Sequence, residues 1–117
     1  MKLDIEINGT HLTATLADNS SAKALAELLQ KGSVTVEMRD YSGFEKVGEL
    51  PESLPENNEQ INTDFGDLIL YQGKSFVIYY DKNSWSLTRL GKIENVTKKE
   101  LKALLGSGNV TATLSLT

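Results

Sequence analysis

Apolar and polar residues alternate from the start of the chain, with Leu3, Ile5 and Ile7 on one face and Asp4 and Glu6 on the other. Period two is the pattern of a half-buried strand. Asn8-Gly9 follows, two residues that tolerate positive φ, and Leu12, Ala14 and Leu16 then resume the alternation. These features predict a hairpin. The period next changes to helical, with Ala22, Leu25, Ala26 and Leu29 forming one apolar stripe. Asn19 or Ser20 can cap this helix, Lys31 suits its negative end, and Gly32 is placed to stop it. Val34, Val36 and Met38 return to strand alternation.

Residues 40 to 64 keep no period and hold both prolines, Pro51 and Pro55. Each follows a leucine, and proline disfavours α geometry in the residue before it, so Leu50 and Leu54 are expected to be extended. Tyr41, Phe44 and Val47 suggest that the front of this span packs against something. ENNEQINT, at its end, reads as plain surface loop. A structureless span of this length is uncommon in a compact domain and more often functional than a short one.

Leu68–Tyr71 and Phe76–Tyr80 are continuous apolar runs, joined by a turn expected at Gly73-Lys74. Continuous runs imply strands buried on both faces. Trp85, Leu87 and Arg89, with Gly91 beyond them, share one face of the next strand. Thr97 and Glu100 match a capping box, and Val96 with Leu101 a hydrophobic staple. Leu101, Leu104 and Leu105 give the helix its buried side, Gly106-Ser107-Gly108 ends it, and Val110, Ala112, Leu114 and Leu116 form a last strand. About seven or eight strands and two short helices are too few helices for repeated βαβ units. The expected fold is mainly β, a closed or nearly closed barrel in one domain spanning residues 1–117.

Composition narrows the chemistry. A chain of 117 residues buries roughly two-thirds of its unfolded surface, enough for one core. No cysteine is present, which excludes disulfides, zinc-thiolate sites and thiol catalysis. The first seventeen residues hold no apolar run suited to a signal peptide, and no run could form a spanning helix, so a cytoplasmic protein without a membrane partner is expected. The net charge is −4. Residues 39 to 59 carry all the excess, with Arg39 and Lys46 against Asp40, Glu45, Glu49, Glu52, Glu56 and Glu59. Such a segment repels nucleic acid, and no basic patch stands elsewhere. It reads as a solvated acidic loop, or as an acidic lip favouring a cationic partner.

The blocks SAKALAELL, MRDYSGFEKVGELPESLP, GDLILYQGKSFVIYYD, SWSLTRLGKIE and LGSGNVTATLSL, in this order, resemble the small bacterial cyclophilin-like domain family. YSGFEKVGELP and WSLTRLG are the most specific parts. The resemblance implies an eight-stranded β-barrel closed by two helices. True cyclophilins, similar in fold, isomerise X-Pro bonds with an arginine in a phenylalanine-x-arginine pattern and a glutamine-glycine-glycine stretch. Here Arg39 follows Glu37 and Met38, and Gln72-Gly73 is followed by Lys74. No cyclophilin catalytic residue carries over.

His11 is the sole histidine and reads as an exposed strand residue, with no partners at metal or triad spacing. The sequons beginning at Asn8, Asn19, Asn95 and Asn109 read as turn and capping residues. Gly106-x-Gly108 lacks the further glycine and the strand-then-helix order of a dinucleotide site. Arg89, on the face of Trp85, reads either as a salt-bridge partner to the acidic loop, for instance to Glu45, or as the polar anchor of a pocket lined by Tyr41, Phe44 and Trp85. The leading expectation is a binding module with a peptide or small-molecule pocket between residues 41–50 and 85–91, its candidates being Tyr41, Phe44, Glu45, Trp85 and Arg89. Peptidyl-prolyl isomerisation is the enzymatic alternative, needing only a desolvating pocket and a donor such as Arg89. A non-catalytic protein-interaction domain is the third. No metal or other cofactor is expected, and ligand identity and oligomeric state stay open.

Overall fold

The computed structural model describes residues Met1–Thr117. In chain order it contains β1 (Lys2–Ile7), β2 (Thr10–Leu16), α1 (Ser20–Gln30), β3 (Val34–Tyr41), β4 (Glu45–Glu49), β5 (Glu59–Thr63), β6 (Asp67–Tyr71), β7 (Ser75–Tyr79), β8 (Asn83–Ile93), α2 (Lys98–Leu105) and β9 (Val110–Leu116). Eight strands hydrogen-bond in the order β2-β1-β9-β3-β4-β7-β6-β8, and β2 pairs back onto β8 to close the ring. The expected closed, mainly β architecture with two helices is present. The ninth strand, β5, pairs with β8 alone, outside the ring.

Closure depends on a glycine. At the seam Leu16 pairs with Gly91, and a Cβ built on Gly91 would stand 2.4 Å from the Thr15 carbonyl oxygen. Any larger residue would hold the two strands apart.

The ring encloses the main core, built from alternate residues such as Leu3 and Ile5 of β1, Leu68 and Leu70 of β6, and Phe76 and Ile78 of β7. Leu25, Leu28 and Leu29 of α1 and Leu101 and Leu105 of α2 join it. Asn19 caps α1 by accepting from the Ala22 N–H at 2.8 Å, and Thr97 and Glu100 complete the capping box of α2. The intervening strand residues face the other way. Val47, Ile69, Val77 and Tyr79 form a second buried cluster with Ile61 of β5 and Leu87 of β8. Apart from the exposed Tyr71, the two apolar runs are therefore buried on both faces, as their continuity implies.

A bulge in β8 produces this second layer. Leu68 pairs with Gly91 and Ile69 with Arg89, which leaves Leu90 as an extra residue. Beyond the bulge, Asn83–Leu87 pair with β5 and lie over the outer face of the ring. β5 is otherwise polar, and Ile61, 2 % exposed, fastens it. Full burial of such a side chain contributes about 1.5–3 kcal/mol.

Residues 40 to 64 are more ordered than their sequence predicts. β3 runs on to Tyr41, residues 45–49 form β4, and ENNEQINT supplies β5. Leu50 and Leu54 are buried in the main core, and their amides donate to the Lys74 and Gly73 carbonyls at 2.9 and 2.7 Å. The turn before β7 also differs. Gln72 and Gly73 take the left-handed φ values, 52° and 77°, and Tyr71 pairs with Ser75 across a three-residue loop. Lys74 closes this loop instead of forming its centre.

Candidate functional site

The β3–β4 hairpin turns through Ser42 and Gly43, at φ 54° and 73°. Its register opposes Arg39 to Val47 and Tyr41 to Glu45. Alternation then sends Arg39, Tyr41, Glu45, Val47 and Glu49 to the outer face, where Val47 joins the second cluster. β7 adds Ser75, Val77 and Tyr79 to this face, and the overlying part of β8 adds Asn83, Trp85 and Leu87. Between these two layers lies a cleft of about 530 Å³, with Tyr71 and Gln72 at its edge. Small-molecule pockets span roughly 300–1,000 Å³.

The cleft is walled by aromatic rings. Phe44 stacks on Tyr79 with centroids 5.9 Å apart and planes 15° apart, and Tyr41 meets Phe44 edge-on at 5.9 Å. Tyr41 and Trp85 are 57 % and 59 % exposed, in a fold that buries most of its large apolar side chains. Asn83 donates its amide to the Tyr79 hydroxyl at 3.3 Å.

Its charges differ in environment. Burial pushes the half-buried Glu45 carboxyl above its ordinary range, opposed by the neighbouring Tyr79 hydroxyl and reinforced by the nearby Asp40 charge. No cation lies within ion-pair distance of Glu45. Tyr79 is itself pushed up to about 12, chiefly by burial. Glu49 is exposed, 4.0 Å from the Lys74 ammonium, and Arg39 is an exposed lining residue without an ion-pair partner.

Tyr41, Phe44, Glu45 and Trp85 thus line one cleft, while Arg89 is not among its lining residues. Arg89 lies one residue before the bulge, and its guanidinium is 3.4 Å from the carboxylate of Asp67, a partner it shares with Lys92 at 3.2 Å. It forms a salt bridge to Asp67 of β6, outside the acidic loop that its salt-bridge reading named. Arg39 is the guanidinium of the cleft. The signal for it was its place two residues before Tyr41 on the same strand face. Tyr79 is among the further lining residues not singled out from sequence, because it sits inside an unbroken apolar run. His11 lies elsewhere on the surface, with Nδ1 3.0 Å from Asp4 Oδ2, and that hydrogen bond raises its pKa. No group of three or more His, Cys, Asp or Glu side chains is arranged to hold a metal ion. No helix is long and apolar enough to cross a membrane.

Comparison with known proteins gives one family and a set of folds. The model of the Cyclophilin-like family matches residues 5–115. The structure of McbB in complex with tryptophan is similar to this fold at 14% identity and a TM-score of 0.63, covering 97% of this chain. The chain spans only 44% of McbB. The hypothetical protein AF2241 from Archaeoglobus fulgidus, solved in solution, is similar at 12% identity and a TM-score of 0.65, with 98% of this chain and 93% of that one covered. At these identities the likeness is one of fold. No curated protein matches the chain.

Proposed function

This chain belongs to the cyclophilin-like family, and from that premise we propose that it is a binding module whose outer cleft takes a small molecule or short peptide with an aromatic body. One observation carries this reading: Trp85 and Tyr41 stand exposed along a cleft that the stacked rings of Phe44 and Tyr79 also line. Full burial of a large apolar side chain contributes about 1.5–3 kcal/mol, so surface left in water on these two half-exposed rings forfeits a fraction of that, part of which a covering ligand recovers. The tryptophan of the McbB complex supports the same choice of ligand body.

Trp85 is the only tryptophan, so its fluorescence reports on the cleft directly. Titration with a panel of soluble aromatic fragments and short aromatic peptides should give a saturable change for some of them. The change should weaken in Tyr41→Ala, a substitution at a largely exposed position. No response to any member of the panel would overturn the reading.

The isomerase alternative has one supporting feature, the unpaired Arg39 guanidinium in the cleft, which could donate to an amide. It requires acceleration of X-Pro isomerisation by the wild-type chain and loss of that acceleration in Arg39→Ala.

A further inference from the structure

The cleft holds two carboxylates and one guanidinium, and burial decides which of them sets the preferred ligand charge. Arg39 and Glu49 are exposed, so water and salt screen both, and Glu49 also has Lys74 beside it. Glu45 is the half-buried one. Its neighbours are the Tyr79 hydroxyl and the rings of Phe44 and Tyr41, and the adjacent Lys46 points to the opposite face, where Asp40 takes its ammonium. A partly desolvated carboxylate is stabilised by an opposite charge, and no cation of this chain stands within ion-pair distance of Glu45. The aromatic faces around it attract cations as well.

We propose that the cleft selects an aromatic amine, its ammonium pairing with the Glu45 carboxylate while its ring lies against Phe44 and Trp85. The assignment rests on the reading of the cleft as a small-molecule site and names the class of molecule. An anionic ligand would meet Glu45 as a like charge, and a neutral one would leave it without a counter-ion. The raised carboxyl of Glu45 agrees with this, because an incoming ammonium would favour the ionised form and lower it again.

The test compares three probes of one shape on the intact chain: 2-phenylethylamine, 2-phenylethanol and 3-phenylpropionate, titrated at neutral pH and low salt with amide chemical shifts as the readout. The amine should bind at least about tenfold more tightly than the alcohol, the size expected of one charge-assisted contact. The propionate should bind more weakly than either. In Glu45→Gln the amine's advantage over the alcohol should fall to within about twofold. The wild-type comparison does not depend on how that variant folds. Alcohol or propionate binding as tightly as the amine, or an amine preference that survives in Glu45→Gln, would overturn the assignment and leave the cleft a small-molecule site. Binding by none of the three would overturn both.

Discussion

The Lys46 ammonium lies fully buried inside the ring, 3.1 Å from Asp40 Oδ1, and donates a second hydrogen bond to the Gly108 carbonyl at 2.6 Å. The Tyr80 hydroxyl donates to the same Asp40 oxygen, and the Tyr80 ring lies 5.7 Å from the ammonium. Together these contacts tie the β3–β4 hairpin to the end of β7 and to the loop before β9. Removing one charge of a buried pair costs more than removing both. Asp40→Asn should therefore cost about 3 kcal/mol in urea unfolding, the lower end of the usual range because Asp40 is partly exposed. Lys46→Met combined with Asp40→Asn should cost less than the sum of the two single changes. Simple additivity would contradict the pairing.

Burial alone would raise the Asp40 carboxyl, but the hydrogen bonds from Tyr80 and Lys46 outweigh it and bring it below its ordinary value. A lowered carboxyl adds stability above its unfolded pKa, and that stability is lost as pH falls through the lower, folded value. Tyr79 and Tyr80 work at the other end. Burial first, then neighbouring carboxylates, push both from 10.0 to about 12. A raised folded pKa gives stability that is full below pH 10 and lost as pH rises from there toward about 12. The urea midpoint should fall over that alkaline window, with late tyrosinate absorbance to match. Tyr80→Phe should reduce the alkaline loss.

At the ring's seam, Gly91→Ala places a methyl group against the Thr15 carbonyl, and backbone on both sides leaves it little room to move. The variant should lose at least about 2 kcal/mol, within the range for overpacking. Amide exchange should quicken first at residues 14–16 and 91–93, where β2 and β8 meet. Unchanged protection there would show that the seam tolerates separation.

Arg89 and the cleft should be separable. Arg89→Ala leaves Lys92 beside Asp67, and the lost side chain is partly exposed, so the cost should stay under about 1 kcal/mol. Ligand titrations followed by Trp85 fluorescence should be unchanged within about twofold. Loss of binding in this variant would return Arg89 to the site.

Much of this fold was legible because local chemistry and tertiary context agree. Asn8-Gly9 has the φ values a two-residue turn demands, 51° and 79°. The doubly buried run at Phe76–Tyr80 correctly implied cover on both faces of the sheet. β4 was hidden because its inward side holds Lys46 and Gly48, neither of which looks like core. Gly48 is there because a Cβ would stand 2.3 Å from the Glu37 carbonyl oxygen. β5 was hidden because Ile61 is the one apolar residue in EQINT. The bulge at Leu90 leaves no mark in the apolar pattern, since both Leu90 and Gly91 are buried. Strand parity correctly put Arg89 on the face of Trp85, but it could not show that Asp67 lies within reach of the guanidinium. Tyr41, Phe44 and Trp85 could be named as candidates from their types, whereas the wall they share depends on β8 folding back over β4 and β7.

The most direct measurement of the cleft's role is an amide shift map of the labelled chain titrated with 2-phenylethylamine. Saturable shifts should cluster on residues 39–47, on 77–79 and on 83–87, with the Trp85 indole N–H among the largest. Shifts gathered instead at the shallow hollow beside α1, around Ala17, Lys23 and Glu27, or no saturable shift at all, would contradict the assignment of the ligand site to the outer cleft.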